Sequence, residues 1–67
     1  MKTSARNQID VKIVKIKKGA VNSEIIAKAG GNEFVAIITN ESAKSLDLEK
    51  GDKAVFLIKA SNIIVAK

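Results

Sequence analysis

The chain has 67 residues, enough for a single domain, residues 1–67, which buries only about 60% of the surface that its unfolded form exposes. It contains no cysteine and no histidine, which excludes disulfides, thiolate-bound metals and imidazole chemistry and makes hydrolytic and redox enzymes poor hypotheses. Twelve Lys and Arg against seven Asp and Glu give a net charge of +5, which favours anionic partners.

The first predicted strand runs from Gln8 to Lys17, where apolar and polar side chains alternate. The alternation slips once, near Ile13 and Val14, as a β-bulge or a strong bend requires. A turn at Lys17–Ala20 leads into a second extended stretch, Val21–Ala27. The two strands are therefore expected to form a hairpin.

The next reversal is predicted at Gly30–Asn32, because glycine and asparagine tolerate the positive φ of tight hairpin turns. A third strand, Phe34–Ile38, follows it. The segment Thr39–Leu46 then breaks the alternation and begins with the capping-type residues Thr39 and Asn40. One or two helical turns are expected there.

The last part of the chain alternates turns with apolar runs. Glu49–Asp52 is a predicted turn, and Ala54–Ile58 is apolar at every position, as in a strand covered on both faces. The polar break Lys59–Asn62 separates this strand from the last one, Ile63–Ala66. The order of elements predicts an all-β fold, a small five-stranded OB-like barrel with one short helix between strands 3 and 4.

Two further expectations follow from composition. With 46% apolar residues and no proline to protect its edge strands, the domain is expected to bury apolar surface against further copies of itself. No apolar run is long enough for a signal peptide or a membrane span, so a cytoplasmic protein without membrane contact is predicted.

Three polar breaks in the strand pattern are rich in hydrogen-bond donors and poor in carboxylates, as binding of an oxyanion requires. They are Thr3–Asn7 before the first strand, Thr39–Ser42 at the helix start and Lys59–Ser61 after the fourth strand. Each has a plain structural alternative: a loose tail, a helix cap and a solvated lysine. Glu41 also weakens the second break unless it faces solvent. Only the coincidence of all three favours oxyanion binding.

Four segments carry a family resemblance: MKTSARNQ at the start, KKGAVNSEI at 17–25, ITNES at 38–42 and LIKASNIIVAK at 57–67. In order and spacing they resemble the molbindins, the Mop family of small molybdate-binding proteins, whose module is also called the TOBE domain. The resemblance extends over essentially the whole chain. It leaves no residues for an ATPase or a DNA-binding domain, and so implies the free-standing form.

The resemblance implies a homohexamer, a trimer of dimers, that stores or buffers molybdate and similar oxyanions such as tungstate at sites between subunits. In that arrangement Ser4 and Arg6 of one chain face the Lys59–Ser61 break of another, with the helix start near the same pocket. The expected oxyanion-binding residues are Ser4, Ala5, Arg6, Asn7, Thr39, Ser42, Lys59, Ala60 and Ser61.

A second kind of site, near the symmetry axes, is also implied by the resemblance. The candidate contributors are Gly19, Ala20, Val21 and Asn22. A lysine-flanked glycine turn needs no ligand to explain it, so the structural alternative stays open.

The expected mechanism is binding without catalysis, and neither an organic cofactor nor a metal held directly by side chains is expected. Molybdate is a proton-free dianion that only accepts hydrogen bonds, so a pocket made of donors suits it. Hydrogen phosphate carries a proton that such a pocket leaves unpaired, at a cost of roughly 1–3 kcal/mol. Sulfate is not excluded in this way, because it is also proton-free.

The main alternative is a basic OB-fold module for single-stranded nucleic acid, which needs a cationic groove and aromatic stacking platforms. Phe34 and Phe56 lie inside apolar strand patterns, and the chain has no Tyr or Trp to stack on bases or on a pterin. Nucleic acid is therefore an unlikely partner. A scaffolding oligomer is the bland alternative, and an enzyme is the weakest, since no base and nucleophile can be paired by spacing.

Overall fold

The structure is a computed structural model that describes all 67 residues. Its elements are β1 (Asn7–Lys18), β2 (Asn22–Ala29), β3 (Asn32–Thr39), α1 (Asn40–Ser45), β4 (Lys53–Ile58) and a 3-10 turn (Ala60–Asn62). The four strands form one antiparallel sheet in the order β3-β2-β1-β4. The predicted all-β fold with a short helix between strands 3 and 4 is confirmed. None of its helical segments combines the length and apolarity that crossing a membrane requires.

β1 is the longest strand and holds the sheet together, because β4 pairs with its first half and β2 with its second half. The pairing with β2 shifts register between Ile13 and Lys15, which confirms the predicted bulge. The extra residue lets Ile13 and Ile16, three positions apart, both pack on the core side. One strand therefore pairs antiparallel with β4 along its first half and with β2 along its second half.

The turns form where glycine permits them. Gly30 adopts a φ of 61°, which confirms the predicted reversal between β2 and β3. Gly51 adopts a φ of 96° in the predicted turn before β4. This turn is fixed to the bulge region of β1, because the Gly51 N–H donates to the Ile13 carbonyl at 2.8 Å and the Ile13 N–H donates to the Asp52 carbonyl at 2.9 Å.

The core lies on one face of the sheet, here called the inner face, and consists of Val11, Ile13, Ile25 and Ala27. It is small for the chain that surrounds it. The accessible surface is 5531 Å², whereas a compact monomer of this mass exposes about 4,100 Å². The radius of gyration, 12.5 Å, is likewise larger than the roughly 11 Å of a compact chain of this length. Much apolar surface therefore remains uncovered in a single chain.

The predicted closure into a five-stranded barrel is not confirmed. The sheet has four strands and stays open, and the predicted fifth strand, Ile63–Ala66, forms no strand. An extended segment becomes a strand only where an edge accepts its backbone hydrogen bonds, and no edge of this chain does so. Ile64 and Val65 are 92% and 89% exposed.

The open side of the sheet is an apolar cleft of about 460 Å³ on the inner face, between β3 and β4. All thirteen residues that line it are hydrophobic, and they include Phe34, Phe56 and Leu46. The prediction that β4 is covered on both faces is also wrong for a single chain. Val55 and Leu57, which alternate with the half-buried Phe56 along the strand, are 40% and 42% exposed.

Candidate oxyanion-binding site

Two of the three predicted donor-rich segments meet at one end of β1. Asn7, the first residue of β1, pairs with Ile58, the last residue of β4, and the Asn7 side-chain amide donates to the Ile58 carbonyl at 3.1 Å. Arg6 directly precedes β1 and Lys59 directly follows β4, so both residues flank this pair. The fold therefore brings Ser4–Arg6 and Lys59–Ser61 to the same end of one chain, whereas the resemblance implied that they meet across a subunit boundary.

The N-terminal segment is anchored rather than loose. Ala5 is buried, at 9% exposure, and its N–H donates to the Thr3 hydroxyl at 3.1 Å. Ser4 and Arg6, on either side of it, are exposed. Burial of the small central side chain thus directs the hydroxyl and the guanidinium outward, which is the arrangement that binding requires.

The Lys59–Ser61 segment owes its shape to the 3-10 turn that follows β4. The Asn62 N–H donates to the Lys59 carbonyl at 2.9 Å, and the Ile63 N–H donates to the Ala60 carbonyl at 3.3 Å. Lys59, Ala60 and Ser61 are all exposed. Because the first N–H groups of a helical turn have no partner within it, this segment offers backbone donors beside an ammonium and a hydroxyl.

This end of the chain is electrostatically unpaired. The one ion pair in the structure joins Lys17 to Glu24 at 3.9 Å, so neither Arg6 nor Lys59 contacts a carboxylate. Groups of three or more metal-ligating side chains are absent. The Asn7 end of β1 can therefore hold an anion by charge and hydrogen bonds.

The third predicted segment lies elsewhere. Thr39 pairs with Asn22, next to the Lys18 end of β1, which is the end opposite to Asn7. Within one chain, Thr39 and Ser42 are thus separated from Arg6 and Lys59 by the length of β1. If all three segments share a pocket, at least one of them comes from a neighbouring chain.

Thr39 and Ser42 also have a structural role. Thr39 is the N-cap of α1, and its hydroxyl oxygen accepts from the Ser42 N–H at 3.0 Å. The Thr39 hydroxyl then donates to the Ser42 hydroxyl oxygen at 2.8 Å. Since a hydroxyl has one proton to donate, Thr39 has none left for a ligand, and Ser42 retains its own.

The predicted second site, the turn Gly19–Asn22, lies beside the start of α1. The Gly19 N–H closes the turn on the Asn22 carbonyl at 2.8 Å, and the N–H groups of Ala20 and Val21 have no acceptor in the chain. Gly19 and Asn22 line a shallow depression of about 480 Å³ together with Lys17 and Lys18. Backbone donors and ammonium groups therefore lie close together here as well.

Sequence reasoning missed Asn40, which was recognised only as a capping-type residue. Its side chain donates to the Gly19 carbonyl at 2.8 Å and accepts from the Ser23 hydroxyl at 2.5 Å. An asparagine at the first helical position, after a threonine N-cap, is the only signal the sequence offers. That signal does not reveal a partner seventeen to twenty-one positions earlier.

The TOBE domain family matches residues 3–65. The chain belongs to this family. It is 35% identical over 66 residues to molybdenum-pterin-binding protein 1 of Clostridium pasteurianum, covering 97% of each chain. The resemblance to the small molybdate-binding proteins is thereby confirmed.

Two solved structures share the fold. A molybdate-binding protein from Sporomusa ovata superposes with a TM-score of 0.96 at 42% identity, covering all of both chains. The cytoplasmic molybdate-binding protein ModG, in a form with molybdate bound, superposes with a TM-score of 0.85 at 43% identity, covering 90% of this chain and 43% of ModG. The family members named here are thus described as binding molybdenum in oxyanion or pterin form.

Proposed function

We propose that this TOBE-family protein binds molybdate, and tungstate, for storage or homeostasis in the cytoplasm, and that it catalyses no reaction. The observation that carries the proposal is the meeting of Ser4–Arg6 with Lys59–Ser61 at one end of the sheet, free of carboxylates. The relatives support the choice of ligand, since two of the solved structures are molybdate-binding proteins. The cytoplasmic assignment is supported by the description of ModG.

The donor set fits a proton-free dianion. Arg6 and Lys59 supply charge, Ser4 and Ser61 supply hydroxyl protons, and no carboxylate is present to accept a proton from the ligand. Hydrogen bonds between ionised partners are about twice as strong as neutral ones, so the two cationic side chains dominate the affinity. Hydrogen phosphate binds more weakly, because its proton finds no carboxylate to accept it among these donor groups.

Self-association completes the proposal, as a homohexamer built from three dimers with oxyanion sites between subunits. A single chain exposes about 1,400 Å² more than a compact monomer of its mass, which exceeds the roughly 800 Å² that each partner buries in a standard protein interface. Two such uncovered surfaces are complementary: the apolar cleft lacks a strand, and the apolar segment Ile63–Ala66 lacks an edge. We propose that this segment of one subunit closes the sheet of another and so completes the barrel.

Assembly also explains how Thr39 and Ser42, of which only Ser42 keeps a free hydroxyl proton, come close to the oxyanion. They lie at the Lys18 end of β1, so the subunit that supplies them to a pocket is not the one that supplies Arg6. A dianion that is held by Arg6 and Lys59 of one subunit and by Ser42 of another binds fully only where the two subunits meet. Ligand binding and subunit association are therefore coupled.

The pterin form named for the Clostridium relative is a poorer ligand for this chain. Phe34 and Phe56 both pack against the core and line the apolar cleft, where every lining residue is hydrophobic. A pterin needs polar partners for its ring nitrogens as well as a stacking surface. The same burial removes the aromatic platforms that single-stranded nucleic acid requires.

Equilibrium dialysis against molybdate, tungstate, sulfate and phosphate tests the proposal, with the variant Arg6→Ala. Lys50→Ala is the matched control, because it removes one positive charge from an exposed position in the turn before β4. We expect Arg6→Ala to weaken molybdate binding by about tenfold or more and Lys50→Ala to leave it unchanged. Binding of an oligonucleotide in place of molybdate, falling steeply with salt, would overturn the assignment.

A further inference from the structure

Asn40 connects the start of α1 to the Gly19–Asn22 turn by three hydrogen bonds. Its backbone N–H donates to the Val21 carbonyl at 2.8 Å, and its side-chain Nδ2 donates to the Gly19 carbonyl at 2.8 Å. Its Oδ1 accepts from the hydroxyl of Ser23, which is 3% exposed. One residue thus binds three alternate positions of the turn and of the strand that follows it.

These bonds fix the orientation of two peptide groups in the turn. In a planar trans peptide the C=O and the following N–H point in opposite directions. Because the carbonyls of Gly19 and Val21 point toward Asn40, the N–H groups of Ala20 and Asn22 point away from it. The Ala20 N–H has no acceptor in the chain, so it is available to a ligand on that side.

Cationic side chains surround the turn, since Lys18 lines both the depression at Gly19 and a second one that contains Asn40, Glu41 and Lys44. The depression lined by Lys17, Lys18, Gly19 and Asn22 does not include Asn40. Glu24 also lines it, but its carboxylate pairs with Lys17 at 3.9 Å, which leaves Lys18 without an ion-pair partner. Fixed N–H groups and a free ammonium therefore occur at the same turn.

We propose that Asn40 is a positioning residue for a second oxyanion site at the Gly19–Asn22 turn, where it holds the peptide groups so that their N–H donors face the anion. The inference rests on the proposed oxyanion-binding function. It assigns the second site a residue that does not touch the ligand. The ligand class is the same proton-free tetrahedral dianion.

The chemistry of asparagine explains the choice of residue. Its amide offers one donor and one acceptor, which Gly19 and Ser23 use at the same time. An aspartate of the same shape still accepts from Ser23 but places a second acceptor against the Gly19 carbonyl, so the peptide group is pushed out of position. Asn40→Asp is therefore nearly isosteric and removes the donor to Gly19, but it also adds a negative charge, so Ala20→Pro, which adds no charge, separates loss of an N–H donor from charge repulsion.

The turn itself tolerates little change at Gly19. A Cβ added there would lie 2.8 Å from the Asn22 carbonyl oxygen, closer than real Cβ contacts allow. A variant at Gly19 would open the turn, so a loss of binding could not be assigned to the N–H donors. Ala20→Pro is better, because proline removes only the N–H and suits the second position of common tight turns.

The experiment measures molybdate binding by isothermal titration calorimetry and follows backbone amide shifts by NMR, on the full assembled protein. Asn40→Asp is compared with Asn32→Asp, which makes the same chemical change at an exposed position at the start of β3. We expect Asn40→Asp to weaken the second class of sites by about tenfold, while the first class keeps its affinity. The ligand-induced shift of the Ala20 amide, present in the control, should disappear.

Each outcome bears on one idea. Absence of molybdate binding in the unmodified protein refutes the proposed function. If the unmodified protein has a single class of sites, or if the second class is equally strong in Asn40→Asp and Asn32→Asp, the role of Asn40 is refuted. The proposed molybdate-binding function is not affected by that outcome. If Asn40→Asp does not fold, Ala20→Pro is the deciding variant. Loss of the second class of sites in Ala20→Pro supports the proposal that the Ala20 N–H binds the oxyanion, and retention of that class overturns the proposal.

Discussion

At the Asn7 end of β1 the charged donors are exposed side chains that no other residue holds, whereas at the Lys18 end the backbone donors beside Lys18 are held in place by Asn40. Arg6 and Lys59 are free of ion pairs, and one side-chain hydrogen bond, from Asn7, joins their segments. At the other end the side chains of Thr39 and Asn40 are already committed to capping and bracing. The first end is therefore suited to binding strength, and the second to fixed geometry.

The largest effect is expected when the Asn7 end of one subunit is prevented from meeting the Lys18 end of another. Deletion of residues 63–67 removes the segment that we propose closes the sheet of a neighbouring subunit, and leaves the apolar cleft uncovered. We expect loss of the hexamer and of all molybdate binding, measured by sedimentation and by dialysis. Deletion of Lys67 alone is the control. A truncated chain that still forms the full assembly would show that another surface holds the subunits together.

The sequence predicted most of the local structure, because local patterns determine it. The slipped alternation near Ile13 predicted the bulge, and the glycines predicted the reversal before β3. The open sheet was not predictable in this way. The apolar pattern of Ile63–Ala66 is typical of a strand. A strand also requires a partner edge, and a single sequence does not show which chain provides that edge.

The placement of the candidate site residues shows the same limit. Sequence showed that Ser4, Arg6 and Lys59 belong to donor-rich breaks, since donor content is a local property. It did not show that Arg6 and Lys59 leave one strand pair side by side, or that Thr39 lies at the far end of β1, because both facts depend on strand register. Asn40 was missed for the same reason, since its partners lie in another hairpin.

The coupling of ligand and assembly is expected to depend on the Asn7 end. A ligand that binds only the folded assembly stabilises it by about 2.7 kcal/mol at a free concentration of 100 times Kd. Molybdate should therefore raise the Tm progressively, and the rise should be lost in Arg6→Ala. Sulfate serves as the control for general salt effects. A Tm that stays constant across increasing molybdate would contradict the coupling.

A smaller effect separates capping from binding at the Lys18 end. Thr39→Ala removes the N-cap oxygen of α1 and is expected to cost about 1 kcal/mol of stability. For a domain of this size that lowers the Tm by roughly 4–8 °C. Ser42→Ala leaves the cap intact, because the Ser42 backbone N–H still donates to Thr39. Ser42→Ala should change molybdate affinity more than stability. If instead Thr39→Ala lowers the affinity and Ser42→Ala does not, Thr39 is the ligand-binding hydroxyl.

The smallest effect concerns the one carboxylate beside the cationic turn. The Lys17–Glu24 pair is 3.9 Å long and largely solvated, so Glu24→Gln should change stability by less than about 1 kcal/mol. The same change removes a negative charge from the depression next to Gly19 and frees Lys17, which should strengthen oxyanion binding at the second site a few-fold and leave the first site unaffected. Glu33→Gln, an equivalent change on β3, controls for net charge. Equal gains in both variants would mean that the overall positive charge, rather than the geometry of the turn, governs binding at this end.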